Sequence, residues 1–295
     1  MSADLAIIIL AFDEEKNIAQ ALGSVCGWAR EVFLLDSFSA DETVAIAGNY
    51  PCQVFQKHFE NYALQRNWAL DNLPIRSEWI FFLDADEWVP EDLRDEISSA
   101  IASVPHEDGF YIKRRFVWMG RWIRRGYYPT WLLRLFRRGK GRCEDRQVNE
   151  HILVAGPCGR LNRDFIHEDR KPIETWLEKH IHFAHREAEE RFGVRTNDAY
   201  LCPRLTGSPS ERRRWLQHSI YSRLPGFIRP WLRFIYIYIL RGGFLDGREA
   251  FIYHFLHALW YSTLIDLKCL ELRQQGRDNA TPRHTPRTNR EQTIT

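Results

Sequence analysis

Disulfide, P-loop and secretion signals are all missing from this 295-residue chain. Its six cysteines form no CxxC pair and have neither zinc-ligand nor disulfide-framework spacing, which predicts reduced thiols in the cytosol. No GxxxxGK[ST] sequence is present, so nothing indicates a P-loop nucleotidase. The opening MSADLAIIILAF has no basic start and only a short apolar run, so it predicts a buried first strand rather than a signal peptide.

Negative charge is missing from one long stretch, residues 110–143, although the whole chain is nearly balanced at +2. Its basic residues are Lys113, Arg114, Arg115, Arg121, Arg124, Arg125, Arg134, Arg137, Arg138, Lys140 and Arg142. Such a one-sided block typically faces an anion. The aromatic residues among them are compatible with nucleic acid, with an anionic saccharide or lipid, or with a buried core beneath a solvated basic surface. Because no RNA-binding signature accompanies the block, we favour the anionic acceptor over nucleic acid.

Apolar runs alternate with helical patterns in the first third of the chain. LAIIILAF, EVFLLD, CQVFQ and EWIFFLD predict strands, and the segments between them predict helices. This alternation predicts an α/β fold with right-handed crossovers, continued by strands in DGFYIKRRFVWMG and WLLRLFRR and by a helix over 174–192. We expect a catalytic domain over 1–205, a helical membrane-docking region over 206–273 that starts with a polar connector at 208–214, and a disordered tail over 274–295.

Acidic residues follow three of the first four predicted strands: Asp13, Glu14 and Glu15, then Asp36, then Asp84, Asp86 and Glu87. The carboxyl ends of strands in a doubly wound sheet form its ligand-binding edge. Asp84 and Asp86 are two residues apart, so in an extended chain both would point the same way. A divalent cation would relieve their repulsion, since Mg²⁺ takes one or two carboxylates together with water and phosphate oxygens. The simpler alternative is that these acids only cap the next helix.

Several motifs together resemble one enzyme family. They are LAIIILAFDEEKNIAQALGSV, EVFLLDSFSADETVAIA, ALQRNWAL and WIFFLDADEWVPEDLRDEI, and the resemblance extends to about residue 272. The chain resembles the family 2 glycosyltransferases of the GT-A fold, and in particular small bacterial members that add glucose to the inner core of lipopolysaccharide. The resemblance implies a Rossmann-like, mostly parallel mixed sheet flanked by helices, with an amphipathic helical extension at the C-terminus.

The resemblance also implies a nucleotide-sugar pocket. Its residues would be Asp13, Glu14, Glu15, Asp36, Ser37, Asp41, Gln65, Arg66, Asn67 and Asp84. Among these, Asp36 would recognise a uracil base and Asp84 would face the ribose. Asp86 would bind a Mg²⁺ or Mn²⁺ ion that bridges the diphosphate, and His167 would be a further ligand of that ion. A structural role for His167, or one in orienting a catalytic carboxylate, stays open.

Inverting sugar transfer needs one general base, whereas a glycosidase needs two flanking carboxylates. The segment GRCEDRQVNEH offers Glu144, Asp145 and Glu150. The resemblance points to Asp145 as the base, with Glu144 holding the acceptor or orienting the site. The residues alone are also compatible with an acidic surface turn that pairs with Arg142 and Arg146.

Two apolar helical stretches, near 227–240 and 251–272, are too short or too interrupted by charge to span a membrane. They predict interfacial helices with arginines at the lipid headgroups, namely Arg229, Arg233, Arg241 and Arg248. A helical pair packed on the catalytic domain, or a dimer interface, is the alternative.

The expected function is therefore an inverting, metal-dependent glycosyltransferase. It would move a hexose, with glucose favoured, from a UDP-sugar to a lipid-anchored or anionic saccharide. It would act as a peripheral protein on the cytoplasmic face of the bacterial inner membrane. The alternatives are sugar transfer to a polyprenyl phosphate, which needs little help from a base, and a non-catalytic membrane or nucleic-acid adaptor.

Overall fold

The computed structural model describes residues 3–144, 146, 150–192 and 203–280. The strands are β1 (Ala3–Ala11), β2 (Ala29–Asp36), β3 (Gln53–Gln56), β4 (Trp79–Asp84), β5 (Glu87–Trp88), β6 (Gly109–Trp118), β7 (Arg121–Trp122), β8 (Thr130–Arg137), β9 (Gly141–Cys143), β10 (Ile152–Val154) and β11 (Cys158–His167). The helices are α1 (Ile18–Val25), α2 (Thr43–Ala47), α3 (Tyr62–Asn72), α4 (Glu91–Ala102), α5 (Ile173–Phe192), α6 (Pro209–Ser219), α7 (Ile228–Ile235), α8 (Arg248–His254) and α9 (Tyr261–Ala280). A π-helical turn, Tyr236–Leu240, continues α7, and another, Phe255–Trp260, joins α8 to α9.

The central sheet has the strand order β3-β2-β1-β4-β8-β6-β11-β5. The first four strands in that order are parallel neighbours, β8 is antiparallel to β4 and β6, and β11 is parallel to β6. In β1, Ile7, Ile8 and Ile9 are fully buried, because helices cover both faces of the sheet. This arrangement confirms the predicted α/β class and its mixed sheet.

Each face of the sheet has its own hydrophobic core. On one face, Leu22 of α1 and Leu93 of α4 pack with Ile7 of β1. On the other face, Ala69 of α3 packs with Ile8 of β1. The alternation of side chains along β1 therefore supplies both cores. The layers around the sheet fix the strand ends, where the candidate site lies.

The helices after the sheet attach to it through a separate aromatic cluster. Trp118 at the end of β6 contacts Trp176 of α5 and Tyr253 of α8. Farther along, the small residues Ala184 and Ala188 let α5 pack closely against α9. The C-terminal helices are thus anchored on β6 and α5.

Two expectations for this region are wrong. The polar connector expected at 208–214 is the start of α6, whose first turn is closed by a capping box between Ser208 and Glu211. The disordered tail is expected to start at residue 274, but residues 274–280 are helical, because α9 continues to Ala280. Residues 281–295 lie outside the described part of the chain.

The basic block over 110–143 is neutralised largely from within the fold. Acids from other segments pair with most of its cations: Asp164 with Lys113 and Arg115, Glu249 with Arg121, Asp246 with Arg125, Asp84 and Glu87 with Arg134, Glu78 with Arg137 and Asp71 with Arg142. These acids are distant in sequence, so the block looks one-sided only along the chain. An external anion is not required for the paired residues.

Within the described residues, no helix combines the length and apolar character needed to cross a bilayer. The C-terminal helices nevertheless expose many large apolar side chains. We call them the apolar face, which consists of Phe227, Ile228, Trp231, Leu232, Ile235, Tyr236, Ile239, Leu240, Phe244, Leu245, Phe251 and Phe255. Two of the four arginines expected beside it point inward instead, because Arg229 pairs with Asp266 and Arg233 donates to Ser262 Oγ.

Candidate active site

The strands β1, β2 and β4 end level with one another. Ala11 of β1 lies opposite Asp36 of β2, and Leu10 of β1 lies opposite Asp84 of β4. The loops that follow these strands therefore meet at one edge of the sheet, as in other sheets of this kind. The acids that follow β1, β2 and β4 in sequence are gathered at this edge.

The loops after β1 and β2 are held together by their own acids. Asp13 donates its backbone N–H to Ser39 Oγ at 2.9 Å, and Asp13 Oδ1 accepts from the N–H of Ala40 at 2.8 Å. Glu15 donates its N–H to Asp41 Oδ2 at 3.0 Å. Asp13 has a φ of 51°, in the left-handed region, and these bonds hold that conformation. Asp13 and Asp41 thus shape the rim of the site.

Asp36 lies beneath this rim and is fully buried. Its carboxylate accepts from the N–H and Oγ of Ser39 and from Nε2 of Gln56 at 3.0 Å. Next to it, Gln65 Nε2 donates to Ser37 Oγ at 3.1 Å, while the buried Gln65 Oε1 has no hydrogen-bond partner. Gln65 Oε1 is therefore a fixed hydrogen-bond acceptor without a donor, and it lies in the region where the family resemblance predicts the nucleotide.

Asp84 is neutralised by two arginines. Its Oδ1 lies 2.9 Å from Nη2 of Arg66, and its Oδ2 lies 2.8 Å from Nη2 of Arg134. Burial alone would raise the pKa of the Asp84 carboxyl, but Arg134 and Arg66 outweigh it and hold that pKa well below the usual range. Arg134 also binds the buried Glu87, and Arg66 also binds Glu150. These five residues form one charge network under the site.

Asp86 faces a histidine rather than an arginine. Oδ1 of Asp86 lies 3.7 Å from Nδ1 of His167, and Oε1 of Glu87 lies 3.5 Å from the same nitrogen. This Nδ1 is buried and has no hydrogen-bond partner. The expectation that Asp84 and Asp86 point the same way is wrong, because Ala85 and Asp86 form a turn instead of continuing the strand. The two aspartates of one motif consequently have different partners.

Two lysines that sequence reasoning missed also face this region. Lys171 Nζ lies 2.5 Å from Oε1 of the buried Glu14, whose other oxygen accepts from Asn17. Burial and then the charge of Asp86 raise the pKa of Glu14 to about 7, against the opposing effect of Lys171. Lys179 of α5 is charge-coupled to Asp86 and Glu14. Both lysines are distant in sequence from Glu14 and Asp86, so only the folded structure shows that they interact with these acids.

Glu144, the first residue of the segment 144–150 that we call the candidate base loop, is held by a helix. Glu144 is buried, and both of its oxygens accept from the guanidinium of Arg214 on α6, Oε2 at 2.8 Å. Arg214 Nη2 also lies 3.1 Å from Nδ1 of His151. Asp145, the residue expected to be the base, lies outside the described residues. The polar composition of 208–214 predicts a connector, so the sequence alone gives no sign that Arg214 binds Glu144.

Asn67 fixes the strand that leads into this loop. Its Nδ2 donates to the carbonyl oxygen of Cys143 at 2.9 Å, and its Oδ1 accepts from the N–H of Cys143 at 2.9 Å. Both groups of the amide are therefore engaged by the backbone. Asn67, which the resemblance placed at the nucleotide, connects α3 to the start of the candidate base loop.

Comparison with known families identifies the chain. The family described as Glycosyl transferase family 2 matches residues 6–170, which include most of β1, all of β2 to β11, and both Asp86 and His167. The chain belongs to glycosyl transferase family 2. Members of this family transfer sugar residues, and the sheet and flanking helices of this chain are those of the GT-A fold.

Curated relatives carry the same family name. The chain is 30% identical over 166 residues to the lipopolysaccharide core biosynthesis glycosyltransferase LpsC of Rhizobium meliloti, a match that covers 52% of this chain and 59% of LpsC. It is 36% identical over 99 residues to an uncharacterized glycosyltransferase of Rickettsia felis, covering 34% of each chain. The matches span 59% of LpsC and about a third of the Rickettsia protein.

Among solved structures, the mannosyltransferase PcManGT from Pyrobaculum calidifontis, in complex with GDP-Man and Mn²⁺, has a similar fold. The TM-score is 0.50 at 14% identity, and the alignment covers 93% of this chain and 88% of PcManGT. The likeness extends to the fold of the glycosyltransferase and not to its ligands.

The Asp86–His167 pair fits a divalent ion. A carboxylate oxygen and an unpartnered imidazole nitrogen face one another across 3.7 Å, and both groups are ligands that Mn²⁺ accepts. Among the described residues, no three His, Cys, Asp or Glu side chains are grouped as a complete protein site. An ion held here would therefore take its remaining ligands from water and from a bound diphosphate.

Proposed function

We propose that this glycosyltransferase is inverting and metal-dependent. It moves a hexose, with glucose as the first candidate, from a UDP-sugar to a lipid-anchored saccharide such as the inner core of lipopolysaccharide. The observation that carries the proposal is the unpartnered Nδ1 of His167 opposite Asp86, at the strand edge of a family 2 enzyme. The name of LpsC, a lipopolysaccharide core enzyme, supports the acceptor class.

In this proposal Asp86 and His167 hold a Mg²⁺ or Mn²⁺ ion. The bound ion would stabilise the negative charge of the departing diphosphate. Glu14 and Lys171 would order the rim beside the ion through their pair at 2.5 Å. Gln65 Oε1, buried and without a partner, would accept a hydrogen bond from the nucleotide.

Asp145 is proposed as the general base. It would accept the proton of an acceptor hydroxyl while that oxygen attacks the anomeric carbon and the bond to the diphosphate breaks. Its neighbour Glu144 is unsuited to this role, because Arg214 binds both carboxylate oxygens of Glu144. Glu144 and Arg214 would instead orient the loop that carries the base.

The apolar face is proposed to dock on an anionic bilayer at the cytoplasmic side of the bacterial inner membrane. Trp231 is 57% exposed and Leu240 is 74% exposed, so burial in lipid would remove much apolar surface from water. Exposed patches of this kind mark interaction sites. Arg248, whose side chain is 85% exposed, and Arg241 lie on the same helical region and would meet anionic headgroups.

Calorimetric titration tests the donor and the metal together. UDP, UDP-glucose and GDP-mannose are titrated with and without Mn²⁺ into the wild type, Asp86→Ala and the control Asp92→Ala, which removes an exposed acid of α4. We expect Mn²⁺-dependent binding of the uridine ligands that Asp86→Ala loses and Asp92→Ala keeps. Equal binding with and without Mn²⁺ would contradict the metal site, and preference for GDP-mannose would contradict the uridine donor.

A further inference from the structure

Arg114 of β6, Arg213 of α6 and Arg233 of α7 differ from the other cations around them. Lys113 and Arg115 pair with Asp164, and Arg214 pairs with Glu144. Throughout the described part of the chain, by contrast, no carboxylate lies within 4.0 Å of any of these three guanidinium groups. We call them the arginine triad.

Arg114 reaches the triad from the sheet. It lies on the same face of β6 as Phe116, and its guanidinium carbon is 6.0 Å from the centre of the Phe116 ring. Phe116 in turn contacts the ring of His167 at 5.2 Å and that of Tyr253 at 4.4 Å. Nε of Arg114 is buried and has no hydrogen-bond partner. A donor of this kind costs free energy unless something accepts from it.

Arg233 reaches the same aromatic cluster from the helical side. Its guanidinium carbon is 6.0 Å from the centre of the Tyr127 ring, which lies 5.7 Å from the Tyr253 ring. Its Nη1 donates to Ser262 Oγ at 3.0 Å. Glu187 also faces Arg233, but the carboxylate of Glu187 is engaged by Arg191 at 2.9 Å and by the hydroxyl of Tyr261 at 3.2 Å.

Arg213 completes the triad from α6. Arg213 is an exposed residue of α6, and partial desolvation, followed by the charges of Arg114 and Arg233, lowers its pKa. The next residue, Arg214, binds Glu144 in the candidate base loop. Arg213 therefore lies within electrostatic range of Arg114 and Arg233, and no acid among the described residues forms an ion pair with any of the three.

We propose that the arginine triad binds an anionic group, a phosphate or a carboxylate, on the saccharide acceptor. The inference rests on the proposed function, since it adds a subsite to the same reaction. Guanidinium groups suit both anions because they donate paired N–H bonds to two oxygens. Arg213 adjoins the residue that holds Glu144, and Arg114 contacts Phe116 beside His167, so an anion held here would keep the acceptor next to the reacting centre.

Arg213→Gln tests the triad in the full-length protein, because this side chain is exposed and its loss leaves no buried charge unpaired. Arg212→Gln, one residue earlier on α6 and also exposed, is the matched control. Core oligosaccharide released from lipid A is titrated in three forms: untreated, stripped of phosphate esters and carboxyl-reduced. UDP with Mn²⁺ is titrated separately, so failure of the donor site is distinguished from failure of the triad.

We expect Arg213→Gln to weaken binding of the untreated oligosaccharide by roughly ten- to hundredfold, the range for one charge-assisted hydrogen bond. UDP binding and the Arg212→Gln control should be unchanged. If wild type and Arg213→Gln bind the dephosphorylated oligosaccharide equally well, the bound anion is a phosphate. If they bind the carboxyl-reduced oligosaccharide equally well, it is a carboxylate. No binding of oligosaccharide to the wild type, an equal effect on all three forms, or a matching loss of UDP affinity would each overturn the proposal.

Discussion

The sheet and the C-terminal helices differ in how much of their apolar surface is buried. In β1, β2 and β4 nearly every apolar side chain is buried, whereas the edge strand β3 exposes Val54, and Phe12 and Phe38 are exposed in the loops after β1 and β2. In α7 and α8 the apolar face stays open to solvent although the same helices are anchored on Trp118 and Tyr253. The first region buries most of its own apolar surface, whereas the second leaves an exposed apolar patch of the kind that marks interaction sites.

Charge shows the same contrast within a single motif. Asp84 is balanced by Arg66 and Arg134, so it contributes to the fold. Asp86 has no arginine partner among the described residues; its nearest charged neighbours are His167 and Glu87, and its charge also acts on Glu14 and Lys179. Under the proposed function, this short acidic motif contains one residue for stability and one for chemistry. The predictions below separate these two kinds of residue, from the largest effect on free energy to the smallest.

Asp84→Ala should be the most destabilising change at the site. It leaves Arg66 and Arg134 buried without their shared partner, and breaking a buried ion pair in this way costs about 3 kcal/mol. Urea unfolding followed by tryptophan fluorescence measures the change. Asp86→Ala is the control and should leave the free energy of unfolding nearly unchanged. An equal loss of unfolding free energy in both variants would contradict the proposal that Asp84, unlike Asp86, stabilises the fold.

Arg214→Ala should separate α6 from the candidate base loop. Glu144, which is buried, would lose its bidentate partner, at a cost of about 3 kcal/mol or somewhat less because His151 remains nearby. Hydrogen exchange would then rise over both α6 and β9. Arg212→Ala, on the same helix, should change stability by less than about 0.5 kcal/mol. Unchanged exchange in Arg214→Ala would mean that the pair does not hold the loop.

Trp231→Glu should weaken binding to vesicles without weakening the fold. Fully burying a large apolar side chain contributes about 1.5–3 kcal/mol, so we expect at least a roughly tenfold loss of partitioning. Sedimentation with phosphatidylglycerol vesicles measures it. Val104→Glu changes an 82% exposed apolar residue outside the apolar face and should have no effect. If the wild-type protein fails to sediment, the apolar face does not bind lipid. A dimer interface would then be the preferred explanation of the apolar face.

Ser208→Ala should have the smallest effect. It removes one half of the capping box at the start of α6, which costs about 1 kcal/mol. Thermal unfolding measures the change, and Ser103→Ala, at an exposed helix end without such a box, is the control. Stability that does not change would mean that α6 is held by Arg214 alone.

The sheet was predictable from sequence because its signals are local. Runs such as IIIL and WIFFL are buried on both faces, and the acids that follow them are fixed at the strand ends by the parallel register. The partners of those acids were not predictable, since Arg134, Arg214 and Lys179 come from segments far along the chain. Ser208 and Glu211 did carry a local signal for α6, which the polar composition of the segment concealed.

Metal dependence of sugar transfer tests the central claim most directly. Enzyme freed of metal by dialysis against a chelator is assayed for UDP release from UDP-glucose across a Mn²⁺ titration, for the wild type, His167→Ala and the control His106→Ala. We predict no transfer without Mn²⁺ and a higher half-saturating Mn²⁺ concentration in His167→Ala alone. Full activity of the metal-free wild type, or identical Mn²⁺ titrations for wild type and His167→Ala, would contradict the account.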